Sequence, residues 1–222
     1  MAYKTSKETQ EKKDAKKRHI ISTAIKVFAA NGYHGTTVKD VVDEAEISVG
    51  TFYFYFKNKE DLFQTLYDVV TDEIYESLFN SLKKINVEID TGFSKAIAFF
   101  LKATESHRPL AKIMLIDAVG LNPQFEAKRA EVTNKFINIT AGHFKELKQN
   151  SMIKIADVEV SAMAFIGTIN MILVEWLQSD NSKRLTDFAY TLIVYNLQAL
   201  GIIFNEENIR KAIFETLNTD LC

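Results

Sequence analysis

The chain has 222 residues, and its 27 Lys and Arg against 29 Asp and Glu leave a formal net charge of −2. Hydrophobic residues make up 47% and charged residues 25%, which is average for globular proteins and excludes disordered, collagen-like and membrane classes. Only 2 Pro and 8 Gly interrupt the sequence, fewer than a β-rich fold with a turn about every eight to twelve residues needs. An all-α protein is therefore predicted.

The cysteine count and the apolar stretches indicate the cellular compartment of the protein. A single cysteine, Cys222, can form neither an internal disulfide nor a metal site, which is typical of a reducing environment. The highly charged N-terminus lacks the apolar core of a secretory signal. The longest apolar stretch, 162–177, is interrupted by polar residues and is shorter than the ~18 residues that span a bilayer. We expect a cytoplasmic protein with no membrane partner.

The charge is unevenly distributed along the chain. Residues 1–60 carry 11 basic and 8 acidic side chains, whereas residues 61–222 carry 16 and 21. The basic excess is greatest in residues 1–18. A basic arm of this kind suggests contact with phosphate, although a solvated, flexible tail has the same composition.

The first helix is indicated by apolar residues at helical spacing. Ile20, Ala24 and Phe28 lie on one stripe. Asn31 and Gly32 then suit a left-handed helix end, so the spacing predicts a helix over about residues 10–31.

Three capping signals predict the next helices. Thr37 and Asp40 approximate a capping box that opens a second, short helix. Ser48 caps a third short helix, and Asn58 opens a fourth that runs to about residue 84.

The aromatic run 52–56 is ambiguous. It alternates Phe and Tyr with period two, which taken alone is the pattern of a half-buried strand. No second strand of comparable character exists to pair with it, and an unpaired strand would leave its backbone groups without hydrogen bonds. We therefore predict a helix, with Phe52 and Phe56 on one buried face.

The rest of the chain is helical with short breaks, and both prolines follow such a break, where the missing N–H costs nothing. No fixed-period repeat is visible. The expected helices lie near 93–105, 109–119, 123–149, 157–178, 184–203 and 206–218.

The second and third helices, joined by a turn at 45–47, form a helix-turn-helix whose second helix is small enough to enter a major groove about 12 Å wide. Cores of this shape also occur in proteins that do not bind DNA. Hydroxyl and ammonium donors that suit phosphate oxygens cluster on its expected outer face. These donors are Thr37, Ser48, Thr51, Tyr53, Tyr55, Lys57 and Lys59.

Several features of residues 18–64 occur together in one known family. They are Phe28, Gly32, the Thr36-Thr37 pair, the aromatic block 53–56 and the sequence KEDLF at 59–63. With these features, the segment resembles the DNA-binding head of the TetR family of transcriptional regulators. The rest of the chain is similar to that family only in length, helicity and apolar character.

The resemblance implies a set of DNA-binding residues in the head. Residues 48–51 would lie at base edges, and Gly50, having no side chain, would allow close approach of the backbone. Thr37, Tyr53 and Tyr55 would hold phosphates together with Lys57. The whole set is Thr36, Thr37, Ser48, Val49, Gly50, Thr51, Tyr53, Tyr55 and Lys57.

Two positions depart from the family pattern. Glu46 stands in the turn where the family often has Gly, and a positive φ there would cost ~1 kcal/mol for a residue with a side chain. Phe54 stands where the family often has a second Tyr, which removes one hydroxyl contact.

The resemblance also implies a homodimer and a pocket for a small molecule in the C-terminal body. The strongest dimer candidates are 157–178 and 184–203, because the first of these is apolar nearly all round. A mostly apolar pocket would take a hydrophobic effector, such as an acyl chain or an aromatic compound. The candidate pocket residues are Tyr67, Phe99, Phe100, Met114, Asp117, Phe136, Thr140, Phe165, Asn170 and Glu175.

No catalytic residues, metal ligands or cofactor are expected. The four histidines lie far apart in the sequence, and there is neither a Gly-rich phosphate loop nor a nucleophile elbow. We expect residues 1–58 to form a basic arm and DNA-binding domain, and 59–222 a ligand-binding and dimerisation domain. The resulting hypothesis is a repressor that binds a palindromic operator in double-stranded DNA and is released by its effector. The alternative is a ligand-independent DNA-binding or protein-interaction module.

Overall fold

The computed structural model describes residues 7–83, 88–117, 119–120, 123–179 and 183–219, without the side chains of 7 and 73–83. Helices make up this part of the chain and no strand occurs in it, so the all-α prediction is confirmed. The helices are α1 (Lys7–Gly35), α2 (Val38–Glu44), α3 (Val49–Tyr55), α4 (Lys59–Lys83), α5 (Ile89–Ser106), α6 (Arg108–Lys112), α7 (Pro123–Gln149), α8 (Val158–Gln178), α9 (Ala189–Ala199) and α10 (Glu206–Asn218).

The helix starts in the head follow the capping residues predicted from the sequence. The Thr37 hydroxyl accepts from the Asp40 N–H at 3.2 Å, and the Asp40 carboxylate accepts from the Thr37 N–H at 2.8 Å. These bonds from the Thr37 backbone and hydroxyl hold the pKa of Asp40 below its ordinary value. Ser48 accepts from the Thr51 N–H at 3.0 Å, and α3 is helical through the aromatic run.

Two helix ends in the head have left-handed backbone. Gly32 has φ 73 and a non-helical ψ inside α1, so the helical turn that follows is set off by a kink. After α2, the Glu46 N–H donates to Asp43 and the Ile47 N–H to Val42, which is the hydrogen-bond pattern of a Schellman motif. That motif places Glu46 at φ 49, as the sequence suggested.

The head is built around aromatic rings. Phe63 of α4 lies at the centre, with its ring centroid 5.3 Å from that of Phe28 and 5.0 Å from that of Tyr33. A fourth ring comes from the body, because Phe125 in the first turn of α7 lies 5.2 Å from Phe63. Leu66, also buried here, adds to the same cluster. The cluster therefore includes residues from both sides of the expected domain boundary at residue 58, and that boundary stays a prediction.

The body is organised around α5, which packs against α4, α9 and α10, while α7 packs against α8. Its core is a separate cluster that includes Leu101, Phe144, Ile193 and Leu197. Together these helices hold α4 and α7 side by side below the head.

Two expected helices differ in detail. The segment 109–119 divides into α6 and a π-helical turn, Ile113–Asp117. The segment 184–203 starts as a 3-10 helix, Leu185–Phe188, and α9 ends early because Gly201 takes φ 64 in a second Schellman motif. The helix α8 runs beyond the apolar stretch seen in the sequence, and by length and composition alone it could cross a bilayer.

Replacing Glu46 with Gly is expected to raise the free energy of unfolding by about 0.5–1 kcal/mol. Gly relieves a left-handed penalty of about 1–2 kcal/mol and loses about half of that gain to backbone entropy. The matched control is Glu44→Gly in the last turn of α2, which relieves no strain and should lower stability by about 0.5–1 kcal/mol. Urea unfolding followed by circular dichroism measures the stability of both variants. Equal destabilisation of the two would contradict the assignment of backbone strain to Glu46.

Candidate functional site

The helix α3 is anchored by two buried rings and exposes the rest of its surface. Phe52 and Phe56 are buried, as the sequence predicted. Tyr53 is 56% exposed and Phe54 is 65% exposed, and Val49 is also exposed. Large apolar and aromatic groups held in solvent on a short, well-anchored helix are typical of a binding surface.

The structure places most of the DNA-binding residues predicted from the sequence on this exposed side. Thr37, Ser48, Gly50 and Lys57 are exposed, like Val49 and Tyr53, whereas Thr51 and Tyr55 are half-buried. Thr36 differs from the others. Its side chain is buried and its hydroxyl donates to the Gly32 carbonyl at 2.8 Å, so it belongs to the interior of the head.

Two lysines that the sequence analysis did not select flank α3. The ammonium of Lys13 lies over the Phe54 ring, 5.5 Å from its centroid, and that of Lys17 lies 5.7 Å from the Phe56 centroid. Both distances are within the range of a cation–π contact. Two lysines in the basic first part of α1 therefore lie beside α3. The sequence signal was present in the lysine excess, but the contact depends on the fold.

Lys59 has a structural role instead. Its ammonium donates to the carbonyl oxygens of Tyr33 at 3.0 Å and Thr36 at 2.9 Å, and lies 4.4 Å from the Tyr33 ring centroid. It ties the start of α4 to the end of α1.

A mostly apolar cavity of about 470 Å³ lies between α4, α5, α7 and α8. This volume is within the range of small-molecule pockets, about 300–1,000 Å³. Its lining residues on α7 extend from Arg129 to Leu147, about 27 Å of helix axis at the α-helical rise. The cavity is thus long along α7, and three rings, Phe93, Phe144 and Phe165, meet in its wall at centroid distances of 5.6–6.2 Å.

Six of the ten candidate pocket residues line this cavity and four do not. Those that line it are Tyr67, Phe100, Phe136, Thr140, Phe165 and Asn170. Of the others, Met114 is buried in the head cluster and Glu175 is exposed. Phe99 and Asp117 are half-buried outside the lining.

Several lining residues were not predicted from the sequence, including Phe93, Arg129 and His143. Phe93 could have been found, because Phe93 and Phe100 share one face of α5 at a spacing of seven. Arg129 carried no such signal, since a charged residue on a polar helix normally faces solvent.

Arg129 and Tyr67 form the polar end of the cavity that lies closest to the head. The guanidinium of Arg129 donates from Nη2 to Glu126 at 2.7 Å, and Glu126 also accepts from the Gly120 N–H at 2.8 Å. These two bonds hold the pKa of Glu126 below its ordinary value. Burial raises the pKa of the Tyr67 hydroxyl, and the nearby positive charge of Arg129 opposes that shift.

Ion pairs connect α4 and α7 beside the cavity. Lys128 pairs with Asp68, and Lys135 pairs with Asp72 at 2.5 Å. In the described ranges no cluster of His, Cys, Asp and Glu is placed to hold a metal ion.

Sequence comparison relates the chain to a known family. The family described as "Bacterial regulatory proteins, tetR family" matches residues 20–66, which contain α2 and α3. The fatty acid metabolism regulator protein of Bacillus subtilis (strain 168) is 26% identical over 182 residues, or 82% of this chain and 93% of that protein. The family match and this relative together indicate a TetR-family transcriptional regulator. QacR of Staphylococcus aureus, another transcriptional regulator, is 26% identical over 76% of this chain and 90% of its own length.

Solved structures share the fold of this chain. FadR from Bacillus subtilis in complex with stearoyl-CoA superposes with a TM-score of 0.72 at 24% identity, covering 82% of this chain and 98% of that chain. The fatty acid degradation regulator FadR from Bacillus halodurans gives a TM-score of 0.74 at 22% identity, covering 85% of this chain and 97% of that chain.

Proposed function

We propose that this regulator is a homodimeric repressor that binds a palindromic operator and is released when an acyl-chain effector enters the cavity between α4, α5, α7 and α8. The observation that carries the proposal is the cavity itself, apolar and long along α7. A chain-like apolar molecule fits that shape better than a compact ring system. The relation to a fatty acid metabolism regulator, and to a structure with stearoyl-CoA, supports the same chemistry.

The DNA contact is made by α3. Exposed Val49 and Tyr53 and the half-buried Thr51 lie on this helix, within reach of base edges and phosphates when it enters a major groove. Two heads then read two half-sites, about one helical turn of DNA (about 34–36 Å) apart or slightly more.

The second head comes from a second copy of the chain that covers α8 and α9. Val160, Met163, Gly167 and Met171 are exposed along one side of α8, and Tyr195 is exposed on α9. An apolar stripe of this length on a soluble regulator favours burial against a partner, and a two-fold dimer buries the same stripe of both copies. These helices lie within the two segments that the sequence indicated, 157–178 and 184–203.

Effector and DNA are linked through the two helices that pass from head to cavity. On α4, Phe63 lies in the head core and Tyr67 lines the cavity one turn later. On α7, Phe125 lies in the head core and Arg129 lines the cavity one turn later. A ligand that moves these helices therefore moves the head, and a preference of about 1–3 kcal/mol for the DNA-free spacing weakens operator binding about 5- to 150-fold.

Fluorescence anisotropy with a duplex from upstream of the chain's own gene tests the function. Tight binding of this duplex and weak, salt-erased binding of a scrambled duplex are expected at two salt concentrations. Hexadecanoyl-CoA should then raise the Kd for the first duplex about 5- to 150-fold. Equal binding of both duplexes would contradict sequence-specific binding of an operator in this upstream DNA. Operator binding that acyl compounds do not change would favour a ligand-independent module.

Two substitutions in α3 separate phosphate contact from base readout. Tyr53→Ala should weaken binding to the operator and to the scrambled duplex alike, because a phosphate contact carries no sequence information. Thr51→Ala should instead change the preference among operator variants by about 1–3 kcal/mol per contacted base pair. Competition anisotropy measures both, and a Tyr53→Ala protein that binds as tightly as the parent contradicts the docking of α3.

Charges placed on the α8 stripe should dissociate the dimer. The double variant Met163→Glu, Met171→Glu is expected to run as a monomer in sedimentation velocity, since two charges would be desolvated in an apolar interface. Phe214→Glu is the matched control, because Phe214 is 70% exposed on α10, away from the stripe. A dimer that persists in the first variant, or is lost only in the second, would place the interface elsewhere.

A further inference from the structure

One donor atom in the described part of the chain is buried without a partner. The Nε of Arg129 is shielded from solvent and makes no hydrogen bond. A buried donor in this state is unfavourable, and native proteins tolerate few of them. Arg129 also lines the apolar cavity, so a group that enters the cavity comes close to this donor.

The surroundings of Arg129 hold it in this position. Glu126 accepts from its Nη2, and the carbonyl oxygen of Arg129 accepts from the Thr133 hydroxyl at 2.9 Å. Glu126 is itself fixed by the Gly120 N–H. The guanidinium is thus held by Glu126 at Nη2, and Nε is its buried donor that has no partner.

The cavity lining limits the chemistry of the ligand. Arg129 is the only Lys or Arg among the lining residues of the described chain, and Glu146 is the only carboxylate, about 25 Å further along the helix axis of α7. An acceptor oxygen is favoured at the Arg129 end and disfavoured at the Glu146 end. Tyr67 lines the cavity from α4 close to Arg129 and adds a hydroxyl there.

We propose that Arg129 Nε, with the Tyr67 hydroxyl beside it, binds the terminal carbonyl or carboxylate oxygen of the acyl effector, so that the chain lies along α7 with its oxygen toward the head. This inference rests on the acyl effector of the proposed function. The shared chemistry is an acyl oxygen, which a free fatty acid and an acyl thioester both supply.

The position of this contact explains how binding of the oxygen affects the head. Phe63 and Phe125 already join α4 to α7 with a ring distance of 5.2 Å. Tyr67 and Arg129 are each four residues further on, so they form the next level of the same helix pair. An oxygen held by both side chains links α4 to α7 one turn below the aromatic contact, and the hydrocarbon chain alone makes no such link.

Isothermal titration calorimetry with three probes of one chain length tests the assignment. Hexadecanoate and hexadecanoyl-CoA carry the acyl oxygen, whereas hexadecyltrimethylammonium does not, and all are used below their micelle-forming concentrations. Arg129→Met should bind the tighter acyl probe about 10- to 100-fold more weakly than the parent, and should bind hexadecyltrimethylammonium no more weakly than the parent, because that cation has no acceptor oxygen and is repelled by Arg129. The acyl probe that binds the parent more tightly identifies the source of the oxygen.

Two further variants control the result. Arg129→Lys keeps a positive charge beside Glu126 but has no N–H at the Nε position, so its affinity for the acyl probe should also fall. This variant replaces Arg129→Met if the Met protein does not unfold cooperatively. Arg184→Met removes a similar i, i+3 pair, Arg184 with Asp187, outside the cavity, and should bind like the parent.

The outcomes separate the two proposals. Unchanged acyl affinity in both Arg129 variants, or an equal loss for all three probes, overturns the role of Arg129 and leaves the acyl effector standing. A parent protein that binds none of the acyl probes overturns the acyl effector, and the Arg129 assignment with it.

Discussion

The contact between Phe63 and Phe125 is the constraint on which the rest of the molecule depends. A small three-helix head has little core of its own, and burial of a fourth ring from α7 completes it. The same ring fixes where α7 starts, and therefore which of its residues come to line the cavity. Head stability and cavity shape are consequently set by one aromatic cluster, and a change in the position of α7 cannot leave the head undisturbed.

The two helices joined by this cluster differ in how they are held further down. Ion pairs of Lys128 with Asp68 and of Lys135 with Asp72 join α4 to α7 at the partly exposed surface. Pairs of this kind contribute little free energy, about 0–1 kcal/mol each. Below the head the cavity lies beside this helix pair, and Tyr67 of α4 and Arg129 of α7 line it. A ligand in the proposed pocket therefore contacts both helices.

The sequence predicted the head well because its signals are local. Thr37, Ser48 and Asn58 each cap a helix through a partner three residues away, and the turn at Glu46 depends only on its neighbours. Such patterns can be read without knowing the fold.

The cavity could be predicted only in part because its members are distant in sequence. Phe125 is 62 residues from Phe63, and no local pattern shows that the two rings meet. Arg129 resembles a surface residue of a polar helix, and only the structure reveals its buried Nε. Met114 has the composition of a pocket residue but packs in the head cluster, because the π-helical turn after α6 directs it there.

The two lysines that lie over the rings of α3 have a consequence for how the protein meets DNA. Lys13 and Lys17 lie within cation–π distance of Phe54 and Phe56, so their positive charge stands beside the helix that we propose to enter the groove. Residues 61–222, in contrast, are net acidic. With α3 docked as proposed, this uneven charge favours approach to the duplex with the basic head foremost. Productive orientation then begins before contact, at distances of about a Debye length, ~8 Å at physiological salt.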